Sequence, residues 1–380
     1  MADFINNRLD KIRETGNYRK LAGTVEGIDF WSNDYLGLAR PQVQSKVVKG
    51  QGEMASPGPT GSRSISGDAD DYHAIEQKIA DYHGFSSALV FNSGYTANLG
   101  LLSSLLKRND VILYDELIHA SCRDGIRLGL AKAFRFSHNN LENSLLSNLG
   151  KVSGEGQLFV LTEGRFSMDG DLAPLIEIAG LCEIHGAHLI VDEAHSGGVD
   201  GPYGAGLVAR FGLQDRVFAS IITYGKAFGA HGAAVLGDKA LKEYLANTCR
   251  PFIYTTGPAP AQWLAISGAY ARLQADHEAL SALLGKRIQQ FNSEMEAAGL
   301  SGLLTGVEGP IQVISVPGNQ AVMAAETACR EAGLLVKGIR SPTVAAGSER
   351  LRICLHAFNT EVEVERLVTT LKQVLLQRQD

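Results

Sequence analysis

A lysine held between glycines is poorly placed as a solvated surface charge. In Tyr224-Gly225-Lys226-Ala227-Phe228-Gly229 its neighbours are apolar or glycine, and the preceding run, Phe218–Thr223, reads as a strand. Burial there lowers the ammonium pKa and leaves a neutral amine, a nucleophile and a base. A second strand-like run, His188–Val191, ends in Asp192-Glu193-Ala194-His195. A carboxylate at the carboxyl end of a buried parallel strand stands where open α/β sheets bind ligands. A third run, Ala88–Phe91, passes into Asn92-Ser93-Gly94-Tyr95-Thr96-Ala97-Asn98 and an apolar helix. Free N–H groups at such a helix start hold anions, and small residues let a phosphate approach.

Taken singly, each piece has an ordinary structural explanation: a lysine that snorkels, an aspartate that caps a loop, a glycine-rich turn. Taken together, a phosphate cradle, a strand-end carboxylate and a Schiff-base lysine meet the needs of one cofactor, pyridoxal 5′-phosphate. Other motifs do not compete. The chain has no GxSxG, GxxxxGK(S/T) or HExxH. A GxGxxA at Gly204–Ala209 opens no helix directly after a strand, as a dinucleotide site requires. Cys182, His185, His188, Asp192 and His195 have metal-ligand chemistry, but a helix end and a buried strand need not bring them to one ion.

The elements that must position these groups follow from the pattern. Apolar runs at Ala88–Phe91, Val111–Tyr114, Leu158–Leu161, His188–Val191, Phe218–Thr223 and Ala233–Leu236 alternate with helix-length segments such as 69–83 and Leu172–His185. That alternation predicts an α/β fold with a largely parallel sheet. Asp68 stands as a possible N-cap and Gly84 as the stop for the 69–83 helix. After residue 250 the texture changes to helical Ala259–Leu284 and Arg287–Ala298, shorter strands at Ile311–Val316, Leu334–Lys337 and Leu351–Leu355, and a closing helix over Glu361–Gln377. The expected division is a cofactor-binding α/β domain at 46–249 and an α+β domain at 250–380 joined by residues 1–45.

Composition bounds the rest. The chain has 380 residues, and 35 basic against 41 acidic side chains give a formal charge of −6. With 45% hydrophobic and 20% charged residues it reads as a folded, soluble protein, and its mild acidity argues against a nucleic-acid surface. No apolar run approaches the ~20 residues of a membrane span. The charged N-terminus lacks the apolar core of a secretion signal, and the 5 scattered cysteines form neither a disulfide framework nor a zinc ribbon. A cytoplasmic setting is expected.

Eight stretches occur in order along nearly the whole chain: SNDYLGLA (Ser32–Ala39), TGSRSISG (Thr60–Gly67), NSGYTAN (Asn92–Asn98), DELIHAS (Asp115–Ser121), TEGRFSMDGDLAPL (Thr162–Leu175), VDEAHSGG (Val191–Gly198), TYGKAFG (Thr223–Gly229) and LRICLHAFNT (Leu351–Thr360). With these the sequence resembles the α-oxoamine synthase family of fold-type I pyridoxal-phosphate enzymes. The resemblance implies a large, mostly parallel seven-stranded sheet with helices on both faces and a smaller α+β domain. It also implies a homodimer with active sites at the subunit interface, and an acyltransferase that condenses an amino acid with an acyl thioester and releases CO₂. NYRKL and GIRSPTVAAGSERLRICLHAFNT resemble the biotin-synthesis branch, which uses L-alanine and a pimeloyl group on coenzyme A or a carrier protein. Ser341 and Ala345 depart from the usual prolines of the acyl-side loop. Members using another amino acid or thioester, and a degenerate member that only binds, are the alternatives.

Residue by residue, the resemblance implies that Lys226 carries the cofactor, Asp192 pairs with its ring nitrogen, and His195 and Ser167 sit by its phenolic oxygen. His119 would stack on the ring and meet the amino acid. Gly94, Tyr95 and Thr223 would hold phosphate, joined by Thr255 and Thr256 reaching across from the partner subunit. Asn33 and Arg352 would take the amino-acid carboxylate, and Arg19 and Thr343 the acyl substrate.

Overall fold

The computed structural model describes residues 3–15, 18, 21, 23–40, 58–152, 154–305 and 308–376. In chain order its strands are β1 (Ile28–Asp29), β2 (Ser87–Phe91), β3 (Val111–Asp115), β4 (Lys132–Phe136), β5 (Leu158–Glu163), β6 (His188–Asp192), β7 (Ala219–Thr223), β8 (Ala233–Gly237), β9 (Leu304–Thr305), β10 (Ile311–Ser315), β11 (Leu334–Leu335), β12 (Lys337–Ile339) and β13 (Arg350–Cys354). Seven of them form the central sheet, in the order β2-β8-β7-β6-β5-β3-β4. Only β8 runs against its neighbours; the other pairs are parallel. All five residues of β2, β7 and β8 are buried, which explains their unbroken apolar runs.

Helices cover both faces of this sheet. On one face Phe91, Ile112, Leu161, Ile190 and Ile221 pack against Leu101, Cys122 and Leu245 of helices Gly94–Leu105, Ala120–Leu128 and Lys239–Thr248. On the other, Leu113, Val160, Leu189 and Val191 meet Ile178, Ala179 and Cys182 of helix Leu175–His185. Each fully buried Leu or Ile is worth about 1.5–3 kcal/mol. All five cysteines are free and buried, so they serve as small apolar fillers.

A four-stranded antiparallel sheet, β12-β13-β10-β9, lies in the C-terminal part. The N-terminal segment is tied to it. β1 pairs in parallel with β11, and Cys354 N donates to Phe30 O at 2.7 Å. That places SNDYLGLA beside β13, the strand that carries Arg352.

Four details differ from the sequence expectations. The 259–284 and 287–298 helices are one 38-residue helix, Pro260–Ala297. Gly285 lies within it in open space, and a mid-helix glycine costs only about 1 kcal/mol. β4 was not expected, because four of its five residues are exposed at the sheet edge and carry no apolar run. The 334–337 run splits into β11 and β12, which join different sheets. Helix Asp70–His83 is capped at Ala69, not Asp68, whose carboxylate accepts from Arg63 at 2.7 Å and pairs with His73 at 2.6 Å. Gly84 ends that helix in the left-handed conformation, as expected.

Candidate active site

Because β6 and β7 are parallel neighbours, their carboxyl ends bring Asp192, His195 and Lys226 to one edge of the sheet. Lys226 Nζ lies 2.8 Å from His195 Nε2, and His195 Nδ1 lies 2.7 Å from the Tyr35 hydroxyl. Tyr35 donates to Asn33 Oδ1 at 3.0 Å, and the same oxygen accepts from the Arg352 guanidinium at 3.0 Å. The Tyr35 hydroxyl has one proton and gives it to Asn33. His195 therefore donates from Nδ1 and accepts at Nε2, where Lys226 is the donor. Burial, then the charges of Lys226 and Arg352, push the His195 pKa well below its ordinary value, so the ring is neutral. Burial also draws Lys226 down to about 8, against the pull of Asp192 and Glu163.

A second chain of hydrogen bonds fixes the opposite wall. Asp192 is 2% exposed, and its oxygens accept from Ala194 N at 3.0 Å and from the Asn98 amide at 2.7 Å. Asn98 also donates to Ser121 Oγ at 3.0 Å. Ser121 Oγ is 2.7 Å from His119 Nδ1, which accepts from Ser121 N at 3.2 Å as well. His119 is the N-cap of helix Ala120–Leu128, and with Nδ1 accepting, its ring proton sits on Nε2.

Gly94 and Tyr95 open helix Gly94–Leu105, which Ser93 and Thr96 close with a capping box. The first N–H groups of a helix have no partner within it, and they attract anions. A Cβ at Gly94 would come within 3.0 Å of Thr223 Oγ1, so glycine keeps the space between helix start and hydroxyl open. Gly94, Tyr95, Thr223, Lys226, Asp192 and His195 line one cavity of about 170 Å³. Asn98 Oδ1 and Glu163 Oε1, from two more residues of its lining, are buried without a partner. An anion cradle, an amine and a buried carboxylate in one small cavity, with orphaned polar atoms beside them, fit pyridoxal 5′-phosphate.

The remaining expected residues fall in three places. Ser167 and His119 line both this cavity and a larger one of about 880 Å³. Thr343 lines the larger cavity with Leu117, Ile118, Phe166, Met168 and Val344. Thr255 and Thr256 lie off the lysine cavity, against the Asn92 amide at 3.4 and 3.0 Å. Arg19 lies outside the described residues.

Sequence reasoning gave no role to Tyr35, Asn98, Ser121 or Glu163. All four stand inside the quoted motifs, so position alone could have flagged them. Glu163 carried a second signal, an acidic residue ending an apolar strand. It is 2% exposed, and burial and the Asp192 charge push its pKa up to about 8, with Lys226 opposing.

The model of the aminotransferase class I and II family matches residues 25–371. An 8-amino-7-oxononanoate synthase of Alkalilimnicola ehrlichii is 40% identical over 347 residues, covering 91% of this chain and 88% of that one. Among solved structures, a serine palmitoyltransferase of S. paucimobilis with PLP and myriocin bound superposes with a TM-score of 0.88 at 27% identity, over 99% of this chain and 98% of that one. An 8-amino-7-oxononanoate synthase from Francisella tularensis superposes with a TM-score of 0.76 at 30% identity, over 93% and 99%. With such matches along nearly its whole length, the chain belongs to the aminotransferase class I and II family, in the company of the 8-amino-7-oxononanoate synthases.

Proposed function

We propose that this enzyme condenses L-alanine with a pimeloyl thioester, forming 8-amino-7-oxononanoate and releasing CO₂ and the free thiol of the carrier, with pyridoxal 5′-phosphate as cofactor. The directed chain Lys226–His195–Tyr35–Asn33–Arg352 carries the reading, since it links an amine of lowered basicity to a carboxylate-binding guanidinium inside one buried site. The names of the relatives at about this chain's full length supply the product.

Lys226 would hold the cofactor's aldehyde carbon, Asp192 its ring nitrogen, and Gly94, Tyr95 and Thr223 its phosphate. So bound, the cofactor supplies a sink for the electron pair left at the substrate Cα. A carboxylate in the place of Asp192 would favour the protonated form of that ring nitrogen. Arg352 and Asn33 take the alanine carboxylate through a charge-assisted pair. Neutral Lys226 accepts the Cα proton at Nζ and returns one after CO₂ has left, and His195 holds Nζ in line. His119 and Ser167, shared by both cavities, stand where amino acid and acyl carbonyl meet.

The larger, mostly apolar cavity takes the acyl chain, with Thr343 in its wall and Arg19 assigned to the distal carboxylate. Thr255 and Thr256 are read as completing the phosphate site of the partner subunit in a homodimer. The domain division 46–249 and 250–380, with 1–45 joined to the latter, is part of the same reading. Assay of the holoenzyme with alanine, glycine or serine against pimeloyl-, acetyl- and palmitoyl-CoA tests the assignment. Alanine with pimeloyl-CoA is expected to give the highest kcat/KM, and a better glycine–acetyl pair would overturn it.

A further inference from the structure

His138 lines neither cavity, yet it joins two of the segments that wall the larger one. It follows β4, whose last residue lies in register with Asp115 at the end of β3. Its Nδ1 lies 3.0 Å from Asp115 Oδ1, and its Nε2 lies 2.7 Å from Asp171 Oδ2. A ring with a carboxylate at each nitrogen donates from both, which makes it an imidazolium. Burial opposes that charge, but the hydrogen bonds to Asp115 and Asp171 prevail and lift the His138 pKa to about 10. A third carboxylate, Glu116, accepts from His138 N at 3.1 Å. Asn139 spans the same pair: its N donates to Asp115 Oδ2 at 3.0 Å and its amide to Asp171 Oδ2 at 2.9 Å. Asp171 Oδ1 is buried without a partner among the described residues, so hydrogen bonds reach this carboxylate at Oδ2.

Each carboxylate anchors one segment. Asp115 Oδ1 accepts from Leu117 N at 2.8 Å, and Asp115 O accepts from Ile118 N at 3.2 Å. Asp171 O accepts from Phe166 N at 2.9 Å, and the Phe166 and His138 rings meet edge-to-face at 4.4 Å. Leu117 and Ile118 of one segment and Phe166 and Met168 of the other all line the larger cavity. The groups nearer the lysine are held by other bonds. His119 is fixed through Ser121, and Ser167 O accepts from Arg352 Nε at 2.8 Å.

We propose that His138 is a positioning residue that sets the spacing of these two apolar segments and thereby the acyl chain the cavity accepts. The inference rests on the proposed reaction only for giving this cavity to the acyl chain. A charged bridge suits the task. Without it two carboxylates would face each other, and their repulsion would part the segments they anchor.

His138→Gln removes the charge and can bond one carboxylate but not both. For the thioester that the wild type prefers, KM should rise on the order of 10-fold, the scale of a lost charge-assisted hydrogen bond. The preference itself, read as kcat/KM ratios among acetyl-, pimeloyl- and palmitoyl-CoA, should shrink by a similar factor. Exchange of the alanine Cα proton with deuterated solvent, measured without any thioester, should stay within about twofold, because the groups assigned to that step lie off the bridge. Asp171→Asn keeps an acceptor for Nε2 and should retain more of the preference than Asp171→Ala. His138→Gln/Asp171→Ala should be no worse than the weaker single variant, because each change cuts the same bridge. Ring-nitrogen NMR of the wild-type holoenzyme at pH 8 should find both His138 nitrogens protonated, and it decides even where a variant does not fold. An undiminished preference in His138→Gln, a loss of exchange equal to the loss of thioester turnover, additive losses in the double variant, or a neutral His138 ring would each overturn the proposal. A wild type that prefers glycine with acetyl-CoA would end the proposed reaction alone, and a preference that still shrinks in His138→Gln would support the bridge.

Discussion

Removing the Lys226 amine takes the base from the cavity and the donor from His195 Nε2. Lys226→Ala should lower kcat by at least about 10²–10⁴-fold, the usual worth of a positioned proton-transfer group. Borohydride reduction of the wild-type holoenzyme and peptide mapping should find the trapped cofactor on Lys226, and a trapped cofactor on another lysine would end the assignment. Tyr35→Phe keeps the ring but removes the link that fixes the His195 tautomer. At ~1 kcal/mol for each of the two hydrogen bonds lost, to His195 and Asn33, kcat should fall on the order of 5–30-fold. Glu163 makes a pH prediction for the apoprotein. Its folded pKa of about 8 lies above the ordinary 4.5, so between those values the folded protein holds more protons than the unfolded chain and stability falls as pH rises. Lys226, lowered from 10.5 to about 8, acts in the opposite sense, adding stability as pH rises above 8. Glu163→Gln removes the first effect, so urea midpoints at pH 5 and pH 8 should differ less in the variant than in the wild type. An unchanged difference would show that Glu163 does not titrate in this window.

At the scale of elements, the site depends on how closely the N-terminal segment lies on the lysine turn. Gly229 has φ +60°, and a Cβ there would stand 2.2 Å from Ala39 N and 2.3 Å from Leu38 C, backbone atoms that have no side-chain freedom to move aside. Gly229→Ala should therefore cost about 1–3 kcal/mol in a denaturant melt. It should also lower kcat, because the displaced segment carries Asn33 and Tyr35; a variant with wild-type stability and rate would refute the contact. This docking was not legible in the sequence, since nothing in SNDYLGLA says which strand it will lie against. The strands ending in Asp192 and Thr223 were legible, because burial on both faces writes them as apolar runs. β4 was not, because an edge strand with four exposed residues need not be apolar. The same logic holds within the site. Lys226 and Asp192 stand out by chemistry at strand ends, whereas Tyr35 and Asn98 matter through partners 160 and 94 residues away.

For the whole molecule, two cavities with a common wall at His119 and Ser167 describe an enzyme that joins two substrates. Among the described residues no helix is long and apolar enough to cross a membrane. Thr255 and Thr256 lie off their own chain's lysine cavity, which leads to a prediction about assembly. A Lys226→Ala chain and a Thr255→Ala/Thr256→Ala chain, each impaired alone, should regain activity when refolded together, because mixed dimers contain one intact site. Failure to regain it would mean that each chain builds its site unaided. The central claim is the loss of the alanine carboxylate coupled to acyl transfer. Holoenzyme given carboxyl-labelled L-alanine and pimeloyl-CoA should release labelled CO₂ and coenzyme A one for one, with 8-amino-7-oxononanoate identified by mass. Coenzyme A release with the label retained in the product, or no release from this pair, would contradict the account.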